Sequence, residues 1–219
     1  MNEQRRPYLW IAVAAVLLCA APAAAQAPPD PTRWYIGGMA GGQAVQTLGG
    51  QVGGELGVRL NDRVEIFGEA AWLQNVVTRR RIQTAQTVAS FLQQTQGGSA
   101  SATINAPAGY GGAGVRVMLT DGGSLRPYAV GEVGMARVTL RPAFMLGGTN
   151  VTTQLPQYGV TLGSDLTGQF TKAAFGAGAG VLVPRGTWYI DASLRLTSIR
   201  TDGQPTNVIR VGVGIGRRF

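Results

Sequence analysis

At 219 residues the chain has the size of one domain, and a hydrophobic content of 45% without any low-complexity tract argues against disorder. Only 14% of the residues are charged, and the net charge of +8 comes from 18 arginines and the single lysine, Lys172. The absence of histidine excludes His-based triads, His-ligated zinc and imidazole proton shuttles. Apart from Arg79-Arg80-Arg81 the cations are scattered singly, so no nucleic-acid partner is expected.

The N-terminus reads as an export signal. Arg5 and Arg6 form a basic region, Leu9 to Cys19 an apolar one, and Ala23-Ala24-Ala25 a small-residue cleavage site. This predicts a cleaved signal peptide over 1–25, a short periplasmic linker over 26–31 and the main domain over 32–219. The alternative is an uncleaved anchor helix, which Pro22 and the alanine-rich site disfavour. Cys19 follows Leu18, whereas a lipoprotein signal needs a small residue there. The mature chain is therefore expected to be exported and free of cysteine, with no disulfide to stabilise it.

From residue 32 onward apolar residues recur with period two. Eight strand-like segments are expected, at about 32–43, 51–60, 63–74, 106–119, 125–139, 170–183, 187–199 and 207–219. The connections run roughly 7, 2, 31, 5, 30, 3 and 7 residues, with tight turns at Asn61-Asp62, Thr120 to Ser124 and Pro184 to Gly186. One end of the molecule thus carries turns and the other carries loops. With an even strand count, that is the layout of an antiparallel up-and-down transmembrane β-barrel.

Alternation alone leaves open whether the apolar face points inward, as in a soluble ligand-binding barrel, or outward into lipid. The charges decide. The apolar face of the strands carries no acid, and its only charges are Arg137 and Arg217, each near a strand end. The opposite face holds Glu55, Glu65, Glu69, Glu132 and Asp191 together with Arg59, Arg116, Arg195 and Arg210. Acids and arginines set among glycines describe a narrow interior in which charges must pair, because an unpaired buried charge is very costly. Trp34, Trp72, Trp188 and Phe219 lie on the apolar face near strand ends, where a membrane interface favours aromatic rings. Val130 and Val138 fit this division poorly, since their parity is that of the interior.

The segments WYIGGMAGG, RPYAVGEVGMARV, AFGAGAGVLV and the terminal VGVGIGRRF resemble the eight-stranded outer-membrane β-barrel family that includes the OmpA membrane domain, OmpX and OmpW. The resemblance implies a cell outer membrane location in a Gram-negative-type envelope, with membrane lipids as the surroundings. In that family the last strand, ending in Phe, is read by the outer-membrane assembly machinery, which implies the same role for Phe219. The chain stops there, so the peptidoglycan-binding domain that follows the barrel in full-length OmpA is not expected.

Eight strands give a lumen that side chains can fill, and the sixth strand places Ala174, Gly176, Gly178 and Gly180 inward, leaving room for long side chains opposite. A salt-bridge plug of Glu55, Glu69, Glu132, Arg116, Arg195 and Arg210 is expected, with a small-solute or narrow ion channel as the alternative. Barrel enzymes of the family use a histidine. Glu65 and Glu69 would stand ~13 Å apart along a strand, too far for a retaining glycosidase pair. No enzyme activity, cofactor or metal is therefore expected. The stretch 78–96 can form an amphipathic helix with Ile82, Ala85, Ala89 and Leu92 on one stripe. Its Arg79, Arg80 and Arg81 stand where lipopolysaccharide phosphates would be, and arginine suits phosphate. The loop from 140 to 169, rich in Thr, Gly and Gln, is a candidate adhesive surface. The expected molecule is a monomer with a structural or surface-interaction role.

Overall fold

The computed structural model describes residues 33–200 and 205–219. The expected signal peptide (1–25), the linker (26–31) and Asp202 lie outside the described residues. The strands, in chain order, are β1 (Trp34–Ala44), β2 (Leu48–Arg59), β3 (Val64–Leu73), β4 (Ala100–Asn105), β5 (Ala108–Met118), β6 (Arg126–Leu146), β7 (Thr149–Asn150), β8 (Gly168–Arg185), β9 (Trp188–Ile199) and β10 (Thr206–Arg218). Helix α1 (Arg79–Gln96) precedes β4, and a 3-10 helix (Thr152–Tyr158) follows β7.

Eight of these strands close into an antiparallel barrel in the order β6-β5-β3-β2-β1-β10-β9-β8 and back to β6. The last and first strands form the closing seam, from Tyr35 opposite Arg218 to Ala44 opposite Ile209. At its end the Trp34 amide donates to the Phe219 carbonyl at 3.0 Å, and the Phe219 amide to the Trp34 carbonyl at 2.9 Å. Closure leaves the barrel proper no open edge.

One end carries the turns between β2 and β3, β5 and β6, and β8 and β9. Asn61 Oδ1 accepts the amides of Arg63 and Val64 at 2.9 and 2.8 Å, a side-chain turn that reverses the chain. Gly186 takes a positive φ of 63° in the two-residue turn that follows β8. Neighbouring turns are clasped where the Arg63 guanidinium donates to both carboxylate oxygens of Asp121. That hydrogen bonding holds the exposed Asp121 carboxyl below its ordinary value of 3.8.

The opposite end carries the loops, and here the structure departs from expectation. The first loop is only residues 45–47, because the ladder with β1 continues through Gln43–Gly49 to Ala44–Leu48. Its glycines suggested a loop by propensity alone, and the backbone ladder overrides that weak preference. β6 runs on to Leu146, beyond the barrel, and pairs there with β4, which no periodicity announced. Asn105 lies opposite Arg141 and Ala108 opposite Val138, so β4 and β5 keep one register on β6. Ala106 and Pro107 interrupt the strand between them. Pro107 has no N–H for the ladder, but its carbonyl accepts the Thr139 amide at 3.0 Å.

The stretch read as an amphipathic helix forms α1, with Ala85, Ala89 and Leu92 buried. It ends at Gly97, whose φ is 65°. Its inner stripe packs with Val76, Ile104, Phe144, Leu155 and Leu166 into one apolar cluster that continues down to Ala136, Val138 and Val208 on the barrel wall. The 140–169 loop, the candidate adhesive surface, thus sends Phe144, Leu155 and Leu166 inward to cap the barrel. Val138, the poor fit, belongs to this cap, and Val130 belongs to a second cluster near the turn end.

The outer wall is apolar. Leu56, Val133, Leu194, Val211, Val213 and Ile215 all stand about half exposed. Such an area would be untenable in water and suits hydrocarbon.

Candidate functional site

Inside the barrel, alternate residues of six strands converge on one charged layer. Three arginines form its centre: Arg116 from β5, Arg195 from β9 and Arg210 from β10, each at most 2% exposed. Arg116 Nη2 donates to both Glu55 oxygens at 2.8 and 2.9 Å, and its Nη1 to Glu65 at 3.1 Å. Arg195 donates to Glu69, to Glu132 at 3.1 Å and to Glu55 at 3.4 Å. Arg210 reaches Glu69, Glu132 at 3.5 Å and the Gln51 side chain at 2.7 Å. Asp191 accepts the Tyr128 hydroxyl at 2.7 Å and lies 3.7 Å from Arg116.

Two arginines nearer the turn end complete the charge balance. Arg59 lies 3.8 Å and Arg218 3.4 Å from Glu65. The layer then holds five acids (Glu55, Glu65, Glu69, Glu132, Asp191) and five arginines (Arg59, Arg116, Arg195, Arg210, Arg218), so its formal charge is zero. Rings lie against the guanidinium groups: Arg116 stands 4.7 Å from the Tyr128 ring and 5.5 Å from that of Phe67, which also faces Arg195 at 5.5 Å. Each such contact contributes on the order of 0.5–2 kcal/mol.

The local sequence makes the space. A Cβ on Gly176 would stand 2.7 Å from Glu132 Cδ, and one on Gly178 would stand 3.0 Å from Arg195 Cγ. Small residues on β8 therefore make room for the long side chains of their partners on the neighbouring strands β6 and β9. Above the layer sits the loop-end apolar cap, and toward the turn end Tyr35, Phe67, Met118, Tyr128, Leu182 and Tyr189 cluster among the guanidinium groups, with Glu65 and Arg59 nearer the turn than Phe67. The lumen is thus stratified as an apolar cap over a mixed layer of charge pairs and aromatic rings.

All nine lumenal residues singled out in the sequence face this interior, with Arg59 at its turn-end margin. The pattern missed Arg218, Gln51 and Tyr128, although each shares the inward parity of its strand; Gln51 and Tyr128 carry no charge, and Arg218 is the last residue of β10. Among the described residues no cluster of His, Cys, Asp and Glu is arranged to hold a metal ion.

The interface aromatics sit at the two ends of the apolar wall. Trp34, Trp188 and Phe219 mark the turn end and Trp72 the loop end, each about half exposed. Arg217, the charge on the apolar face near the terminus, lies 5.7 Å from the Trp188 ring. Arg79, Arg80 and Arg81 form the first turn of α1, away from the lumenal layer, with Arg81 stacked 4.7 Å over Phe170.

Comparison with known proteins bears on this architecture. The family model described as the outer membrane protein beta-barrel domain matches residues 11–219. No curated protein sequence matches the chain significantly. Among solved structures, neisserial surface protein A aligns with a TM-score of 0.54 and 13% identity, over 85% of this chain and 97% of that one. The N-terminal β-barrel domain of Pseudomonas aeruginosa OprF aligns with a TM-score of 0.51 and 16% identity, over 86% and 98% of the two chains. A major outer membrane protein of Thermus thermophilus gives 0.50 and 9%, over 85% and 99%. At these identities the likeness is one of fold.

Proposed function

Since the chain belongs to the outer membrane protein beta-barrel domain family and its place is the cell outer membrane, we propose that it serves there as a closed barrel with a structural or surface-interaction role, not as a conduit or an enzyme. The observation that carries this reading is the stratified lumen. A neutral network of five acids and five arginines, interleaved toward the turn end with aromatic rings, fills the interior, and the apolar cap lies over its loop end. A solute would have to part the cap and then break charge pairs, each costing about 3–5 kcal/mol once one partner is removed.

The channel alternative needs a path, either along the axis or sideways through the wall. All eight seams are paired, including the β1–β10 closure and the long β6–β8 ladder from Arg126–Leu182 to Leu140–Gly168. A catalytic role would need a carboxylate free to exchange protons, whereas the lumenal carboxylates are engaged by guanidinium groups or a tyrosine hydroxyl.

With short turns toward the periplasm, α1 and the 140–169 loop face the cell exterior. Arg79, Arg80 and Arg81 are proposed to meet lipopolysaccharide phosphates. No acid occupies the first turn of α1, although the positive end of the helix dipole favours one. Phe219 is proposed as the signal for the assembly machinery, and the barrel as a monomer. Osmotic swelling of liposomes containing the refolded chain tests the closed lumen. The expected swelling in small sugars matches protein-free liposomes, and rapid swelling would reject the reading in favour of a conduit.

A further inference from the structure

The cations at the two ends of the barrel are compensated differently. At the turn end four of them meet protein oxygens: Arg63 pairs with Asp121, Arg59 and Arg218 with Glu65, and Arg126 donates to the Asp62 carbonyl at 2.6 Å. At the loop end the described residues include a single acid, Asp165, against Arg79, Arg80, Arg137, Arg141 and Arg200; Asp202 lies outside the described residues.

Two of these cations are on the outer wall, just above the hydrocarbon-facing band. Arg137 has the outward parity of Val133 and Met135 and lies opposite Thr171 of β8. Its Nη2 donates to Gln169 Oε1 at 2.5 Å, and Gln169 Nε2 donates in turn to Thr139 Oγ1 at 2.9 Å. This relay holds the guanidinium in place while using one of its five donors. Arg200 is exposed, its amide is bound to the Ala173 carbonyl at 2.8 Å, and its guanidinium lies 5.7 Å from the ring of Phe175. The two arginines flank β8 from opposite sides, with Cα atoms ~12 Å apart by strand spacing and rise. Long side chains can close on one anion across that distance. The side-chain partners seen for them among the described residues are a neutral amide and a phenyl ring, which leaves both exposed guanidinium groups able to take an added anion.

We propose that Arg137 and Arg200, on the β6–β8–β9 face, form a binding site for a phosphate of lipopolysaccharide in the outer leaflet. The inference rests on the reading that loop-side cations meet that lipid, and it moves the principal contact from the helix to the barrel wall. The height of the pair, at the upper border of the apolar wall, matches a phosphate anchored by acyl chains lying against Val133, Met135 and Phe175. Planar guanidinium forks suit phosphate better than an ammonium does.

The test is native mass spectrometry of the full mature chain in detergent. The probes are bisphosphorylated lipid A, dephosphorylated lipid A, phosphatidylglycerol and inorganic phosphate. The double variant Arg137→Gln/Arg200→Gln is expected to lose about tenfold or more in affinity for bisphosphorylated lipid A, the worth of charge-assisted hydrogen bonds. The Lys/Lys variant should recover part of it, and Arg63→Gln/Arg185→Gln, at the turn end, should bind as the parent does. Heat-modifiability on gels verifies that each variant is folded. Unchanged lipid A binding by the double variant overturns the site. Equal loss for phosphatidylglycerol or inorganic phosphate overturns the lipopolysaccharide assignment. If Arg79→Gln/Arg80→Gln/Arg81→Gln abolishes binding while the wall variant does not, the helix contact stands and this inference fails. If neither variant matters, both fail.

Discussion

Replacing Arg195 by methionine probes the charged layer where it is most shared. The guanidinium touches three carboxylates, those of Glu69, Glu132 and Glu55. Methionine keeps much of the volume and removes the charge, leaving five acids facing four arginines. Stranding a buried charge costs about 3–5 kcal/mol. The upper half of that range applies, because Glu69 and Glu132 are then left to Arg210 and Glu55 to Arg116, which also serves Glu65. Loss of the contact with Phe67 adds about 0.5–1 kcal/mol. Urea unfolding of the mature chain in lipid vesicles, followed by tryptophan fluorescence, measures the difference, since Trp34, Trp72 and Trp188 all face outward. The companion variant Arg195→Met/Glu69→Gln restores neutrality and should regain most of the loss, ending within about 2 kcal/mol of the parent, because balanced substitutions in buried charge clusters are often neutral. A single variant within about 1 kcal/mol of the parent, with no gain from the companion, would refute the pairing, since a broken buried pair costs several times that.

Other perturbations reach other parts of the fold. Leu92→Ala removes a fully buried side chain from the cap and should cost about 2–5 kcal/mol locally; trypsin should then cut faster at Arg79 to Arg81 while the barrel stays intact on unboiled gels. Gly176→Ala sets a methyl against the Glu132 carboxylate and should destabilise by about 1–3 kcal/mol, read as a lower urea midpoint. Asp121 should titrate below its ordinary value of 3.8 because of its bond to Arg63. The lowered value means that the clasp contributes above the ordinary carboxyl range and is lost as pH falls through the depressed value. Carboxyl NMR shifts check this, and Arg63→Gln should return Asp121 to the ordinary range.

The barrel was legible because its information is local and repetitive. Period-two alternation places Leu56, Leu194 and Val213 outward and Glu55, Arg195 and Arg210 inward, and the segregation of acids told lipid from water. The cap was not legible, because its members come from separate loops. Val76, Phe144, Leu155 and Leu166 share no period, and only tertiary packing unites them with α1. β4 was invisible for a related reason: only Thr103 and Ile104 among its six residues favour strands, and pairing with the overhanging end of β6 makes it one. Val130 and Val138 looked like errors of parity when every inward position was assumed polar. They are instead where the lumen changes from charged to apolar along β6.

The closed lumen is tested most directly by planar-bilayer recording of the refolded mature chain at symmetric salt. The stratified interior predicts a baseline without discrete steps across the voltage range that the bilayer tolerates. Stable, long-lived open levels that scale with salt concentration would contradict it, because ions cannot pass while Arg116, Arg195 and Arg210 hold their carboxylates beneath the apolar cap.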